Sequence, residues 1–272
     1  CMCADCFLTD YVPLPFSLRR MKRAFSGWQT ALAGKGWNLL FLENHDHPRI
    51  ISRYGSEKYP VESGKALAAA YLFQQGTPFL YQGQELGMTN WYPERAELYQ
   101  DVQTRFQYAH FFTGLSPERR LKRLWRASRD SARTPVQWSA EEHAGFSETT
   151  PWMQLNGNYK TVNAADEARD PDSVLNFYRR AIRLRKELPV VRDGVYREYY
   201  RHSGKFYVYG RESAQARLLV ICSFSKKPAR FTAPEGYELS RGRIVMQNYP
   251  IAPVENNGFT AKPYETRVYL FE

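Results

Sequence analysis

The chain has 272 residues, is 43% hydrophobic and carries a formal net charge of +10, so it is long enough to bury one large core or two ordinary ones. It has no apolar run long enough to cross a bilayer and no basic-then-apolar leader, which excludes a membrane role and points to the cytoplasm. Its four cysteines, three of them within "CMCADC" and the fourth at Cys222, form no disulfide framework, which suits a reducing compartment.

In chain order, Cys1, Cys3 and Cys6 come first. No second ligand pair follows them at zinc-site spacing, so neither a metal nor a cofactor is expected. Residue 1 is not methionine and no helix or strand start signal opens the chain, which therefore reads as the tail of a longer protein. Leu18, Met21, Phe25, Trp28 and Leu32 then recur at alternating three and four spacing, predicting an amphipathic helix over 18–32 that Gly34 and Gly36 end. "WNLLFLEN" follows as a continuous apolar run, the pattern of a strand covered on both faces. "ESGKALAAAYLFQQG" is helical up to Gly76, and "TPFLYQG" is a second short strand. Helix, strand, helix, strand, helix is the order of parallel α/β structure.

From about 90 to 170 the regularity loosens into a long aromatic and charged excursion, of the kind that hangs over the functional face of a barrel. Within it "SPERRLKRLWRASRD" is helical, with Ser116 as cap, Pro117 in the first turn and Leu121, Leu124 and Trp125 as its apolar stripe. The arginines then lie on a solvated face, and since no nucleic-acid module accompanies them, no nucleic-acid partner is expected. "DSVLNFYRRAIRLRKELP" restores a helix with Val174, Phe177, Tyr178, Ala181, Leu184 and Leu188 on one face, stopped by Pro189. Beyond it "VYREYY", "KFYVYGRE", "ARLLVICSFS", "ARFTAP", "GRIVMQNY" and "ETRVYLFE" read as short strands, predicting an all-β sandwich over 190–272. The preceding 189 residues supply only two convincing parallel strands, where a closed barrel needs eight and ~250 residues.

The apolar run of "FLENHDHPRI" stops at Asn44, His45, Asp46, His47, Pro48 and Arg49, at the carboxyl end of the first strand, where parallel α/β folds keep their functional groups. Taken alone, the Asn-His-Asp triplet reads as a hydrogen-bonded turn.

Three segments in order, "NHDHPRIISRYG" (44–55), "GTPFLYQGQELGMTN" (76–90) and "ARTPVQW" (132–138), together resemble glycoside hydrolase family 13, the α-amylase superfamily, in its oligo-1,6-glucosidase and α-glucosidase branch. That branch reads close to NHDQPR, GTPYIYQGEEIGM and ARTPMQW. The resemblance runs from about Trp37 to the C-terminus. It implies a (β/α)8 TIM barrel followed by a C-terminal β domain. The two strands here would be the seventh and eighth of the barrel, with a sixth marginal near residues 7–14. Residues 1–189 would then be the C-terminal part of the catalytic barrel.

The chemistry the resemblance implies is retaining hydrolysis of α-glucosidic bonds, in which a carboxylate nucleophile and an acid/base stand about 5–5.5 Å apart. A third carboxylate, matched by Asp46, grips sugar hydroxyls as the ring becomes oxocarbenium-like and so stabilises the transition state. His45 matches its sugar-binding partner, and Arg133 matches an arginine that holds the far hydroxyls of the terminal glucose, usually beside an Asp from early in the barrel. Arg49 and Arg53 are expected to brace the loop. Trp138, Trp152 and Tyr81 read first as packing aromatics, with sugar stacking as the alternative. His47 replaces the usual Gln, and Gln84 the first Glu of the paired-Glu motif. No segment matches the nucleophile or the acid/base, and Glu43, Glu85 and Asp130 match neither. The expectation is therefore a glucosidase fragment, inactive alone, whose partners are an oligosaccharide and the missing N-terminal part of the barrel. The alternatives are a non-catalytic carbohydrate-binding or interaction protein, or part of a hydrolase of phosphorylated disaccharides.

Overall fold

The structure is a computed structural model and describes residues 15–272. The cysteine cluster and the marginal strand near 7–14 lie outside the described residues.

Helix α1 (Leu18–Ala31) starts at the Ser17 cap and buries Leu18, Met21, Ala24 and Phe25. Trp28, expected on the same stripe, is exposed instead, because buried Lys22, Ser26 and Gln29 share the inward face. Each of the three has a partner. Lys22 Nζ donates to the carbonyls of Tyr200, Ser203 and Phe206 at 2.6, 2.7 and 3.1 Å, which ties α1 to the β-rich half of the chain.

Strand β1 (Leu39–Leu40) pairs in parallel with β2 (Thr77–Pro78), and between them lie the one-turn helix α2 (Ile50–Arg53) and α3 (Pro60–Leu72). The parallel order is as expected, but the strands are far shorter than the apolar runs that announce them. Among the described residues each has only one hydrogen-bonded neighbour, and a parallel ladder without a second neighbour leaves half its backbone groups outside the ladder. Nor is the first run covered on both faces: Leu40 and Leu42 are buried, whereas Leu39 is 54% exposed and Phe79, beyond β2, 52%. Gly76 enters β2 at φ 138, where an added Cβ would lie 2.6 Å from the Asn38 carbonyl oxygen. Helix α3 is apolar nearly all round, and Ala66 to Leu72 are all fully buried.

The segment after β2 is not a bare loop. It contains α4 (Val102–His110), α5 (Pro117–Ala127), the one-turn α6 (Asp130–Arg133), α7 (Ala164–Arg169) and three short 3-10 turns. Trp91, Tyr99, Phe112 and Leu124 give it a small core of its own. Helix α5 has the predicted Ser116 cap, and α8 (Val174–Glu187) is capped by Ser173. Pro189 ends α8 but also opens a short α9 (Pro189–Asp193), since proline suits a first helical turn.

Seven strands follow: β3 (Val195–Tyr199), β4 (Phe206–Glu212), β5 (Arg217–Ser223), β6 (Ala229–Thr232), β7 (Arg243–Gln247), β8 (Gly258–Ala261) and β9 (Thr266–Phe271). An antiparallel five-stranded sheet has the order β3-β4-β5-β9-β7, and β6 pairs with β8 in a separate ribbon. Strand alternation divides the sheet between two cores. Tyr207, Tyr209, Leu218, Val220 and Cys222 pack with α1, α3 and α8, while Phe206, Val208, Leu219 and Ile221 pack with Phe231 and Phe259 of the ribbon. Strand β8 had no counterpart in the sequence reading. Its entry is a two-residue turn in which Asn256 and Asn257 both have φ 51 and Glu255 and Gly258 exchange backbone hydrogen bonds. This is the left-handed pair that suits asparagine in a tight hairpin turn.

Candidate functional site

The site begins with a buried clamp. Glu43, just past β1, receives Arg49 Nη1 at 2.6 Å and the Ile50 N–H at 3.0 Å, closing the six-residue loop on itself. Arg49 also donates to the carbonyls of Gln82 at 2.7 Å and Ser131 at 3.2 Å, so one guanidinium ties together the segments following β1, β2 and α5. Burial pushes the Glu43 carboxyl above its ordinary value, against the pull of Arg49. Arg49 thus braces the loop as expected, whereas Arg53 lies over the Tyr54 ring.

Held by this clamp, "NHD" leaves the strand as a turn in which Asn44 Oδ1 accepts the Asp46 N–H at 2.9 Å. Asp46 Oδ2 stands 3.3 Å from His45 Nε2, and its Oδ1 takes two guanidiniums, Arg133 Nη2 at 3.0 Å and Arg129 Nη1 at 3.3 Å. Arg133 Nε donates to the His45 carbonyl at 2.9 Å. His45, Asp46 and Arg133 are therefore brought together, although 87 residues separate the last two.

Two residues of this cluster escaped the sequence reading. Asp101 accepts from both arginines through Oδ1, at 2.5 Å from Arg129 and 3.3 Å from Arg133, while Oδ2 caps α4 through the Thr104 N–H at 2.9 Å. Burial would raise its carboxyl, but the Arg129 hydrogen bond and the Thr104 bonds outweigh that and hold it below the ordinary aspartate value. Within this chain Arg133 thus reaches two carboxylates, Asp46 and Asp101; the Asp expected from early in the barrel is not part of this chain. The available signals were an aspartate before a helical run, and Arg129 one helical turn ahead of Arg133 in "SRDSAR".

Asp130, another carboxylate near the motifs, is occupied by the backbone. Asp130 accepts the N–H groups of Gln100 and Asp101 at 2.6 and 3.0 Å, and burial raises its carboxyl. Gln84 turns into the core and donates to the hydroxyls of Tyr178 and Tyr71 at 2.8 and 3.1 Å. Tyr81 is half-buried and bonded to the Ala132 carbonyl, as a packing residue would be. Trp138 is exposed and Trp152 is 79% exposed, so neither is buried among the described residues. Trp152 and Phe146 line a cavity of about 310 Å³ that also includes Arg133 and Gln82. Among the described residues no three His, Cys, Asp or Glu side chains converge to hold a metal ion.

A carboxylate, an imidazole and two guanidiniums thus gather past the end of a parallel strand, beside an aromatic-lined cavity. Residues 9–194 match the family described as alpha amylase, catalytic domain, and the chain belongs to that family of glycoside hydrolases. It is 38% identical over 261 residues to the probable oligo-1,6-glucosidase 2 of Bacillus subtilis (strain 168), covering 95% of this chain and 46% of that protein. To the trehalose-6-phosphate hydrolase of the same organism it is 39% identical over 262 residues, covering 94% and 46%. The crystal structure of the Bacillus licheniformis trehalose-6-phosphate hydrolase superposes with a TM-score of 0.92 at 38% identity, covering 99% of this chain and 50% of that one. The chain thus spans about half the length of the curated relatives it matches.

Proposed function

We propose that the chain is the C-terminal portion of a retaining α-glucosidase of the oligo-1,6-glucosidase type, acting on short oligosaccharides in the cytoplasm. In this reading β1 and β2 are the seventh and eighth strands of an incomplete (β/α)8 barrel within 1–189, and residues 190–272 form its β-sandwich. The half-length coverage of relatives supports it, as does the apolar edge of Trp37, Leu39 and Phe79, all exposed here, which further barrel strands would cover. Nucleophile and acid/base would lie on those strands, leaving this chain inactive alone.

The observation that carries the proposal is the grip of Arg133 on Asp46 and on the His45 carbonyl. Asp46 remains 46% exposed at its side chain, so sugar hydroxyls can reach it. Charge-assisted hydrogen bonds from two hydroxyls strengthen as the ring turns oxocarbenium-like, and bonds that are stronger in the transition state accelerate the step. The test is turnover of p-nitrophenyl α-glucoside. The complete enzyme should hydrolyse it and the isolated chain should not; turnover by the isolated chain would refute the division of the site.

A second reading, hydrolysis of a phosphorylated disaccharide, is favoured by the 39% identity to a trehalose-6-phosphate hydrolase. Comparing isomaltose with trehalose 6-phosphate as substrates of the complete enzyme decides between the two.

A further inference from the structure

Helix α5 borders a second cleft, of about 1000 Å³, outside the Asp46 cluster. Its walls are α5, the segment from Ile51 to Glu57, and Lys226 from the β5–β6 connection. Arg119, Lys122, Arg123 and Arg126 follow one another at spacings of three, one and three, so all four lie on one face of α5, and all are exposed. Arg119 to Arg126 is seven residues, about 10 Å along the helix axis.

Glu57 is the one acidic residue of the lining, and its carboxylate already accepts the hydroxyls of Ser52 and Tyr92. Lys122 pairs with Glu118 on the helix surface. Among the described residues no salt bridge engages Arg119, Arg123, Arg126 or Lys226. Arg119 with Arg123, and Lys122 with Arg126, are like charges one turn apart, an arrangement that destabilises an isolated helix. An anion in the cleft would relieve that repulsion. At the base, half-buried Trp125 is anchored by Nε1 to the Pro93 carbonyl at 3.0 Å and meets the Tyr92 ring at 5.6 Å, giving the cleft an aromatic wall.

Guanidiniums recognise phosphoryl oxygens in pairs, and an aromatic wall suits the apolar face of a sugar ring. We infer that this cleft binds a small organophosphate, a sugar body carrying two phosphoryl groups, at a site separate from the one that grips substrate hydroxyls. The cavity lies at the upper end of the size range of small-molecule sites, which leaves room for such a ligand.

The experiment is isothermal titration of the full chain with glucose 1,6-bisphosphate, with glucose and sodium sulfate at matched ionic strength as comparisons. Saturable one-to-one binding of the bisphosphate is expected, with no displacement of it by glucose and much weaker binding by sulfate. Arg123→Gln with Arg126→Gln should weaken binding about tenfold or more, and Lys226→Gln, from a different element, should weaken it too. Arg179→Gln with Arg183→Gln, on α8, should leave it unchanged, and so should Asp46→Asn. Equal binding of sulfate and bisphosphate, insensitivity to the α5 and Lys226 changes, or loss on Asp46→Asn would each overturn the inference. Circular dichroism of the variants shows that the fold is retained, since all the altered side chains are exposed or partly exposed.

Discussion

Arg133 holds Asp46 twice over, directly through Nη2 to Oδ1 at 3.0 Å and indirectly through Nε to the carbonyl of the preceding residue at 2.9 Å. A carboxylate fixed from two directions is pre-aimed, and pre-aimed polar groups lose little freedom when charge develops on the substrate. In the complete enzyme Asp46→Asn should keep the fold while lowering kcat by about 10²-fold or more, because the change is nearly isosteric but removes the charge. Arg133→Lys should lose the two-point grip and lower kcat as well. Steady-state kinetics with thermal unfolding as a control checks both; an unimpaired Asp46→Asn enzyme would remove Asp46 from the catalytic set.

The Glu43–Arg49 pair is fully buried, so its halves cannot be removed singly without stranding a charge. Glu43→Leu or Arg49→Met alone should destabilise by about 3–5 kcal/mol, and the double replacement should recover part of that loss. Urea unfolding of the two single variants and the double variant measures the coupling. Additive losses would show that the pair does not act as a unit.

Asp101 makes stability depend on acid. Its folded-state carboxyl is held below the ordinary aspartate value of 3.8, so between those two values the unfolded chain binds more protons. Its contribution is therefore fully present above about pH 4 and is lost as pH falls through the lower, folded value. Asp101→Asn should unfold more easily at neutral pH and show a shallower fall in stability below pH 4 than the parent. Denaturant titrations across the acid range give the comparison, and parallel curves for the two proteins would contradict the assignment.

The turn into β8 separates backbone from side-chain effects. Asn256→Gly keeps the left-handed conformation and should be close to neutral. Asn257 additionally accepts the Leu239 N–H at 2.8 Å and donates to the Tyr237 carbonyl at 2.7 Å. Asn257→Gly should therefore cost about 1–2 kcal/mol. Similar stabilities of the two variants would mean that those side-chain bonds contribute little.

Helices α1, α3, α5 and α8 were legible because their signals are local, whereas the shorter α2, α4, α6, α7 and α9 were not read. Ser116 caps where the sequence places it, and the spacing of Val174, Phe177, Tyr178 and Ala181 names the buried face of α8. Six of the seven strands after α9 were legible by β-branched and aromatic composition, and only the short β8, whose signal is a left-handed asparagine pair, was not. The place of Asp46 at a strand end, and its resemblance to a family motif together with Arg133, were also open to reading. What tertiary structure alone decided is pairing across distance. The apolar run at residues 37–44 announces a long strand, yet a ladder extends only where a neighbour supplies hydrogen bonds, and here it holds for two residues. Asp101 and Arg129 look like an ordinary cap and an ordinary surface charge until folding sets them 2.5 Å apart beside Asp46. A carboxylate's role depends on which cations reach it, and that is fixed by the packing of segments far apart in the chain.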